Sequence, residues 1–218
     1  MRLFYLDAEF RGCFLWFPYH SCNTAYNLPQ VTNGQSMHIN PQTSLLDQAR
    51  FIESPNFDER PVPAAPELIV VHNISLPPNE FGGPYIEQLF TNTLDPARHP
   101  YFNEIKNLRV SSHLLIRRDG NLLQFVPFHQ RAWHAGQSNW CGRERCNDFS
   151  IGIELEGTDD VLYESVQYRQ LADIIKALRH CYPTIGATAI TGHSDIAPGR
   201  KTDPGAAFSW DTLHQLLA

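Results

Sequence analysis

The chain has no basic stretch, no long apolar run and no regular cysteine framework. Without clustered Lys and Arg, and with a formal net charge of -6 and a pI of about 5.9, it does not suit a nucleic-acid polyanion or an anionic membrane surface. No segment approaches the roughly 20 apolar residues that span a bilayer. The opening "MRLFYLDAEFRGCFLWF" is interrupted by Asp7, Glu9 and Arg11 and does not read as a signal peptide. The five cysteines, Cys13, Cys22, Cys141, Cys146 and Cys181, are odd in number and irregularly spaced. Cys141 and Cys146 are too far apart for a CxxC knuckle or redox pair, so the cysteines read as reduced thiols of a cytosolic protein. No internal repeat is present. These absences turn the search toward a small ligand and a local site.

What is there suits one globular domain: 218 residues, 42% of them apolar. Residues 1–36 are rich in Asn, Gln, Tyr and Phe without helical or strand period, and "PNFDERPVPAAP" is a stiff extended connection. "LIVVHNI" (68–74) reads as a buried strand. Asp119-Gly120 between two apolar runs predicts a hairpin. "SIGIELEG" (150–157) alternates, with Gly152 and Glu154 opposite Ile151 and Ile153. Leu171, Ile174, Ile175 and Leu178 stand at helical spacing before Pro183, and "PYIEQLF" and "DTLHQLLA" suggest shorter helices. The expected fold is α/β, a single domain with a central mixed β-sheet flanked by helices.

Ten histidines need sorting. His20, His38, His99, His129, His180 and His214 read as surface or core-edge residues, and His113 as either a core histidine or a site wall. His72 ends a buried strand, where sites in sheet proteins collect. His193 follows the strand-like "ATAITG", and Asp203 comes ten positions later in "TGHSDIAPGRKTDPG". Two imidazoles and a carboxylate are a zinc ligand set with one coordination position open, although spacing alone makes no short motif of them. Glu154 faces either solvent or a cleft. Lys201, two residues before Asp203, points the same way in an extended loop, or is a solvated loop lysine.

"VVHNISLPPNEFGGPYI", "HPYF", "LRVSSHLLIRRDGNLLQFVPF", "RAWHAG", "GRERCNDFSIGIELEGTD" and "TGHSDIAPGRKTDPG" together closely resemble the AmpD family of cytosolic bacterial 1,6-anhydro-N-acetylmuramoyl-L-alanine amidases. The resemblance runs from about residue 45 to about 213. It implies the amidase fold shared with peptidoglycan recognition proteins, and a Zn2+ site with His72, His193 and Asp203 as ligands. It implies Glu154 and Lys201 as the catalytic pair, a muropeptide as the small-molecule substrate, a cytoplasmic location and a place in peptidoglycan recycling. Neither a nucleic acid, a membrane nor an obligate protein partner is expected.

Arg109 and Arg145 match family arginines suited to gripping stem-peptide carboxylates, or else form surface salt bridges. Trp133 either packs on the substrate or belongs to the core. Asn73 offers an amide to the substrate or caps a turn. Residues 1–36 have no family counterpart. They are expected to be an N-terminal extension, either a disordered or lineage-specific tail or sequence ahead of a true start at Met37, with the amidase domain at 37–218. The alternatives are a muropeptide-binding module without activity and a broader periplasmic wall amidase.

Overall fold

The computed structural model describes residues 37–61 and 65–218. The expected N-terminal extension, with His20, Cys13 and Cys22, lies outside the described residues. Among the described residues the chain forms ten strands and five α-helices. The strands are β1 (Arg50–Phe51), β2 (Phe57–Asp58), β3 (Leu68–Ile74), β4 (Leu114–Ile116), β5 (Leu122–Gln124), β6 (Arg131–Ala132), β7 (Asn139–Trp140), β8 (Arg143–Glu144), β9 (Ser150–Glu156) and β10 (Ile190–Gly192). The helices are α1 (Tyr85–Phe90), α2 (Pro100–Ile105), α3 (Ser165–Cys181), α4 (His193–Ile196) and α5 (Trp210–Leu217).

Six strands make one sheet in the order β1-β5-β4-β9-β3-β10. β4, β9, β3 and β10 run parallel, and β5 pairs antiparallel with β4, so the mixed sheet expected from the sequence is present. The two strands with parallel neighbours on both sides, β3 and the alternating β9, are buried over almost their whole length, as strands covered on both faces must be. The Asp119-Gly120 hairpin joins β4 to β5. Gly120 adopts φ +87°, and its N–H closes the turn onto the Arg117 carbonyl at 2.9 Å, a geometry that favours glycine.

α3 and α5 cover one face. Leu171, Ile174, Ile175 and Leu178 of α3 and Leu213 of α5 join a core with Leu68 to Val71, Ile151, Ile153 and Leu155. The N–H of Glu164 donates to Gln167 Oε1 at 3.0 Å at the start of α3, satisfying an end that would otherwise lack a partner. The other face is covered over part of its area by α1 and α2, whose Ile86, Leu89, Phe90, Phe102 and Ile105 pack on Leu115, Leu123 and Phe125. Beyond that cover, towards β3 and β10, polar side chains replace apolar ones.

Candidate metal centre

Sheet register places the key groups. His72 pairs with Glu154 across β3 and β9, and Val71 pairs with Gly192 across β3 and β10. His193, the residue after Gly192, therefore emerges next to His72 at the carboxyl ends of parallel strands, where sites in open sheets form. Asp203 reaches the same point from the loop after α4. His72 Nδ1, His193 Nδ1 and Asp203 Oδ2 lie 3.0 Å from one another in all three pairings. His72 and His193 are buried, 1% and 3% exposed, and Asp203 is half-buried.

The loop bearing Asp203 is held from several sides. Ser194 donates its N–H to the Asp203 carbonyl at 2.9 Å. The Pro204 carbonyl accepts from Asn73 Nδ2 at 3.1 Å and from the Tyr163 hydroxyl at 2.8 Å. Gly205 has φ +80°, and a Cβ there would lie 2.1 Å from Asp159 Cα, so only glycine allows the two loops to meet.

The donor set fits a zinc-type ion. A tetrahedral ion with bonds of roughly 2.0–2.1 Å needs ligand atoms about 3.3 Å apart. His193 Nε2 lies 3.0 Å from the Ala135 carbonyl. A carbonyl only accepts, so the proton sits on Nε2 and His193 Nδ1 presents a lone pair. Burial lowers the His72 pKa to about 4; the Asp203 carboxylate beside it works against the shift, and repulsion from His193 adds to it. The imidazole is therefore neutral, as a metal ligand must be. Burial of Asp203 favours its protonated form, but the His193 and His72 imidazoles beside it outweigh this and hold its pKa well below the usual carboxylate range.

Glu154 is buried, and its Oε2 meets no hydrogen-bond partner among the described residues. Burial, then the nearby Asp203 charge, raises its pKa well above the usual value, while Lys201 works in the opposite sense. Of the two placements left open for Glu154, solvent is excluded, since the side chain is buried. Lys201 is exposed, and its charge is close enough to disfavour protonation of both His72 and Glu154.

The other expected residues are spread around this centre. Asn73 spends Nδ2 on Asp159 Oδ1 at 2.8 Å and on the Pro204 carbonyl, so it bridges two loops. Trp133 is half-buried and donates Nε1–H to Asp58 Oδ1 at 3.1 Å. Arg145 is exposed, pairs with Asp148 at 3.3 Å, and lines a cleft of about 380 Å³ with Gln137, Ala197 and Arg200. Arg109 is exposed and donates Nη1–H to the carbonyls of Lys106 and Leu108. His113 is fully buried, with Nδ1 accepting from the Gly152 N–H at 3.0 Å and Nε2 3.1 Å from the Gln130 carbonyl, so it belongs to the core. Sequence reasoning missed His134, whose Nδ1 lies 2.9 Å from His72 Nε2. The available signal was the glycine in β9: a Cβ on Gly152 would sit 2.4 Å from the His134 ring.

Residues 62–206 match the family described as N-acetylmuramoyl-L-alanine amidase. The chain is 62% identical over 170 residues to the 1,6-anhydro-N-acetylmuramyl-L-alanine amidase AmpD of Escherichia coli (strain K12), spanning 78% of this chain and 92% of that protein. A crystal structure of a Se-Met AmpD derivative superposes with a TM-score of 0.79 at 58% identity, over 81% of this chain and 98% of that one. AmpDh3 from Pseudomonas aeruginosa in complex with anhydromuramic pentapeptide is 28% identical, with a TM-score of 0.51, over 72% of this chain and 61% of the other.

Proposed function

The chain belongs to the N-acetylmuramoyl-L-alanine amidase family, and we propose that His72, His193 and Asp203 hold a zinc ion beside Glu154 and Lys201 as the catalytic pair. Its reaction is hydrolysis of the amide between the lactyl group of 1,6-anhydro-N-acetylmuramic acid and L-alanine of the stem peptide, in peptidoglycan recycling. The preference for the anhydro sugar rests on the relatives and not on a contact in this structure.

When bound, zinc supplies a Lewis acid that lowers the pKa of a water from about 15.7 to about 7 and polarises a carbonyl. Glu154 Oε2, with no partner among the described residues, takes the proton released as water attacks the amide carbon. It then returns that proton to the alanine nitrogen as the C–N bond breaks, leaving a lactyl carboxylate and a free amine. The Lys201 ammonium faces the negative charge that develops on the carbonyl oxygen. Trp133, Arg109, Arg145 and the carbonyl side of Asn73 are placed by this reading at the rim, towards the sugar and peptide.

The observation that carries the reading is the unpartnered, buried Glu154 oxygen beside a triangle of three metal-ligand atoms. Mass spectrometry of products from anhydro- and ordinary MurNAc peptides, with and without a chelator, tests it. Release of L-Ala-peptide is expected only without chelator; undiminished release in chelator would sink the zinc role. His193→Ala is expected to lose the metal by elemental analysis, and stoichiometric zinc in that variant would remove it from the ligand set.

Among the described residues no helix is long and apolar enough to cross a membrane. We place the reaction in the cytoplasm on the strength of the family resemblance, with cell fractionation as the check. We take residues 37–218 as the amidase domain, with peptide mapping of the native N-terminus as its test.

A further inference from the structure

Neutral histidine binds a metal through the nitrogen that lacks a proton, so a ligand histidine must be held in the right tautomer. For His193 the Ala135 carbonyl does this. For His72 the partner is another histidine, whose ring nitrogens either donate or accept. The answer lies two bonds further on. Ser150 Oγ donates to the Cys146 carbonyl at 2.6 Å. A hydroxyl has one proton, and the carbonyl has none to return, so Ser150 Oγ can only accept from its other neighbour. That neighbour is His134 Nε2, at 3.1 Å. The His134 proton therefore sits on Nε2, and its Nδ1 is a bare acceptor. His134 Nδ1 lies 2.9 Å from His72 Nε2, so the relay calls for the His72 proton on Nε2; Nδ1 then faces the lone pairs of His193 Nδ1 and Asp203 Oδ2, an arrangement that a cation completes.

We propose that His134 is a positioning residue: with Ser150 it forms a one-way hydrogen-bond relay, ending on the Cys146 carbonyl, that locks His72 in the tautomer with Nδ1 free for the metal. The direction of the relay from His134 onwards follows from the protein groups alone; the unprotonated Nδ1 of His72 rests on the metal reading above, because Asp203 Oδ2 at 3.0 Å otherwise draws the proton there.

The fold is built around this ring. Asn147 Oδ1 accepts the backbone N–H groups of His134 at 3.1 Å and Ala135 at 2.8 Å, fixing the segment. The His134 ring occupies the space where a side chain on residue 152 of β9 would stand. It meets the His72 ring edge-on, with centroids 5.0 Å apart and an interplanar angle of 84°. Two adjacent residues thus orient both histidine ligands: the His134 ring acts on His72 and the Ala135 carbonyl on His193. One side chain, Asn147, holds the pair.

The decisive measurement is long-range nitrogen–proton NMR of the imidazoles in the full chain. His134 should show the Nε2–H form with or without metal, and His72 the Nε2–H form once zinc is bound. In Ser150→Ala the relay loses its end, and His134 should become a mixture with the Nδ1–H form. An Nδ1–H form of His134 in the parent protein would overturn the proposal. Zinc affinity is the second readout. His134→Leu should bind zinc about 10- to 100-fold more weakly. His134→Asn, whose Oδ1 stands near the position of the lost Nδ1 and only accepts, should recover most of that loss. Equal affinity of parent, His134→Leu and Ser150→Ala would also overturn it, and Ser150→Ala serves if the leucine variant does not fold. If the parent binds no zinc yet shows His134 as Nε2–H, the metal reading fails and the relay stands.

Discussion

The centre and the rim of the site are built on opposite plans. At the centre, His72, His193 and Glu154 leave neighbouring strands in register and are almost sealed from solvent. Their ring nitrogens face one another, His134 or the Ala135 carbonyl, and Glu154 Oε2 meets no partner among the described residues. At the rim we propose, Arg109 and Arg145 are exposed, and Trp133, Asn73 and Arg109 use side-chain donors on the protein itself. The burial that makes the centre costly to maintain also makes it strong, because charge interactions grow as water is removed. Rim groups are screened and tolerant. Substitutions at the centre should therefore change chemistry by orders of magnitude, and those at the rim should change binding by small factors.

The largest expected break is Glu154→Gln. The amide keeps the shape and cannot shuttle the proton, so kcat should fall by about 10²–10⁴ with zinc content unchanged. A variant with near-native kcat would leave the centre without its acid–base group. Next is Gly205→Ala, which drives a Cβ against the Asp159 backbone at a left-handed position. It should lose about 1–3 kcal/mol of stability and weaken metal binding together, because the displaced loop carries Asp203. Denaturant unfolding and metal titration read the two effects, and intact zinc affinity would show that the loop clamp does not position Asp203.

The fold was legible where burial and period coincide. "LIVVHNI" lies between two parallel strands and must be apolar on both faces, and α3 shows its inner stripe directly. The end of β3 marked His72, but the meeting of His72 with Asp203 across 131 positions depends on tertiary packing that no local spacing encodes. Family resemblance bridged that gap. It did not extend to His134, because a histidine in a short polar loop carries no periodic signal and its role depends on the direction of hydrogen bonds. Glu154 was ambiguous for a related reason: alternation places a side chain on a face and does not say what covers that face. The rim residues were named by type, yet type does not reveal that the Asn73 Nδ2 donors are already committed.

A smaller effect tests whether the centre is tuned for activity at the expense of stability. In the metal-free protein Glu154 has a raised pKa, from burial first and the Asp203 charge second. The folded state therefore holds its proton more tightly than the unfolded state, whose carboxyl ionises near the ordinary value of 4.5. Stability from this group is full below that pH and declines as pH rises towards the folded-state value. Metal-free Glu154→Gln should thus melt above the parent at pH 7, with the gap closing below pH 4.5. A parent that melts equally or higher at pH 7 would mean that the buried carboxylate is compensated.

The smallest change is expected at the rim, and Arg145 is its sharpest case. Its partner Asp148 also holds Arg131, Nη1 to Oδ1 at 2.7 Å, so Asp148 is not orphaned when Arg145 is removed. Arg145→Ala should cost about 0–1 kcal/mol of stability, the range of an exposed pair. If the guanidinium grips a stem-peptide carboxylate in the cleft beside α4, KM rises several-fold with kcat unchanged, as for an interaction made equally in ground and transition states. Amidating the peptide carboxylates should raise KM for the parent and leave the variant indifferent. Arg109→Ala provides the contrast, since part of that guanidinium is already bound to backbone carbonyls beyond α2. A matched KM increase in both variants would make the rim one extended carboxylate clamp, whereas an unchanged KM in Arg145→Ala would return that arginine to its surface pair with Asp148.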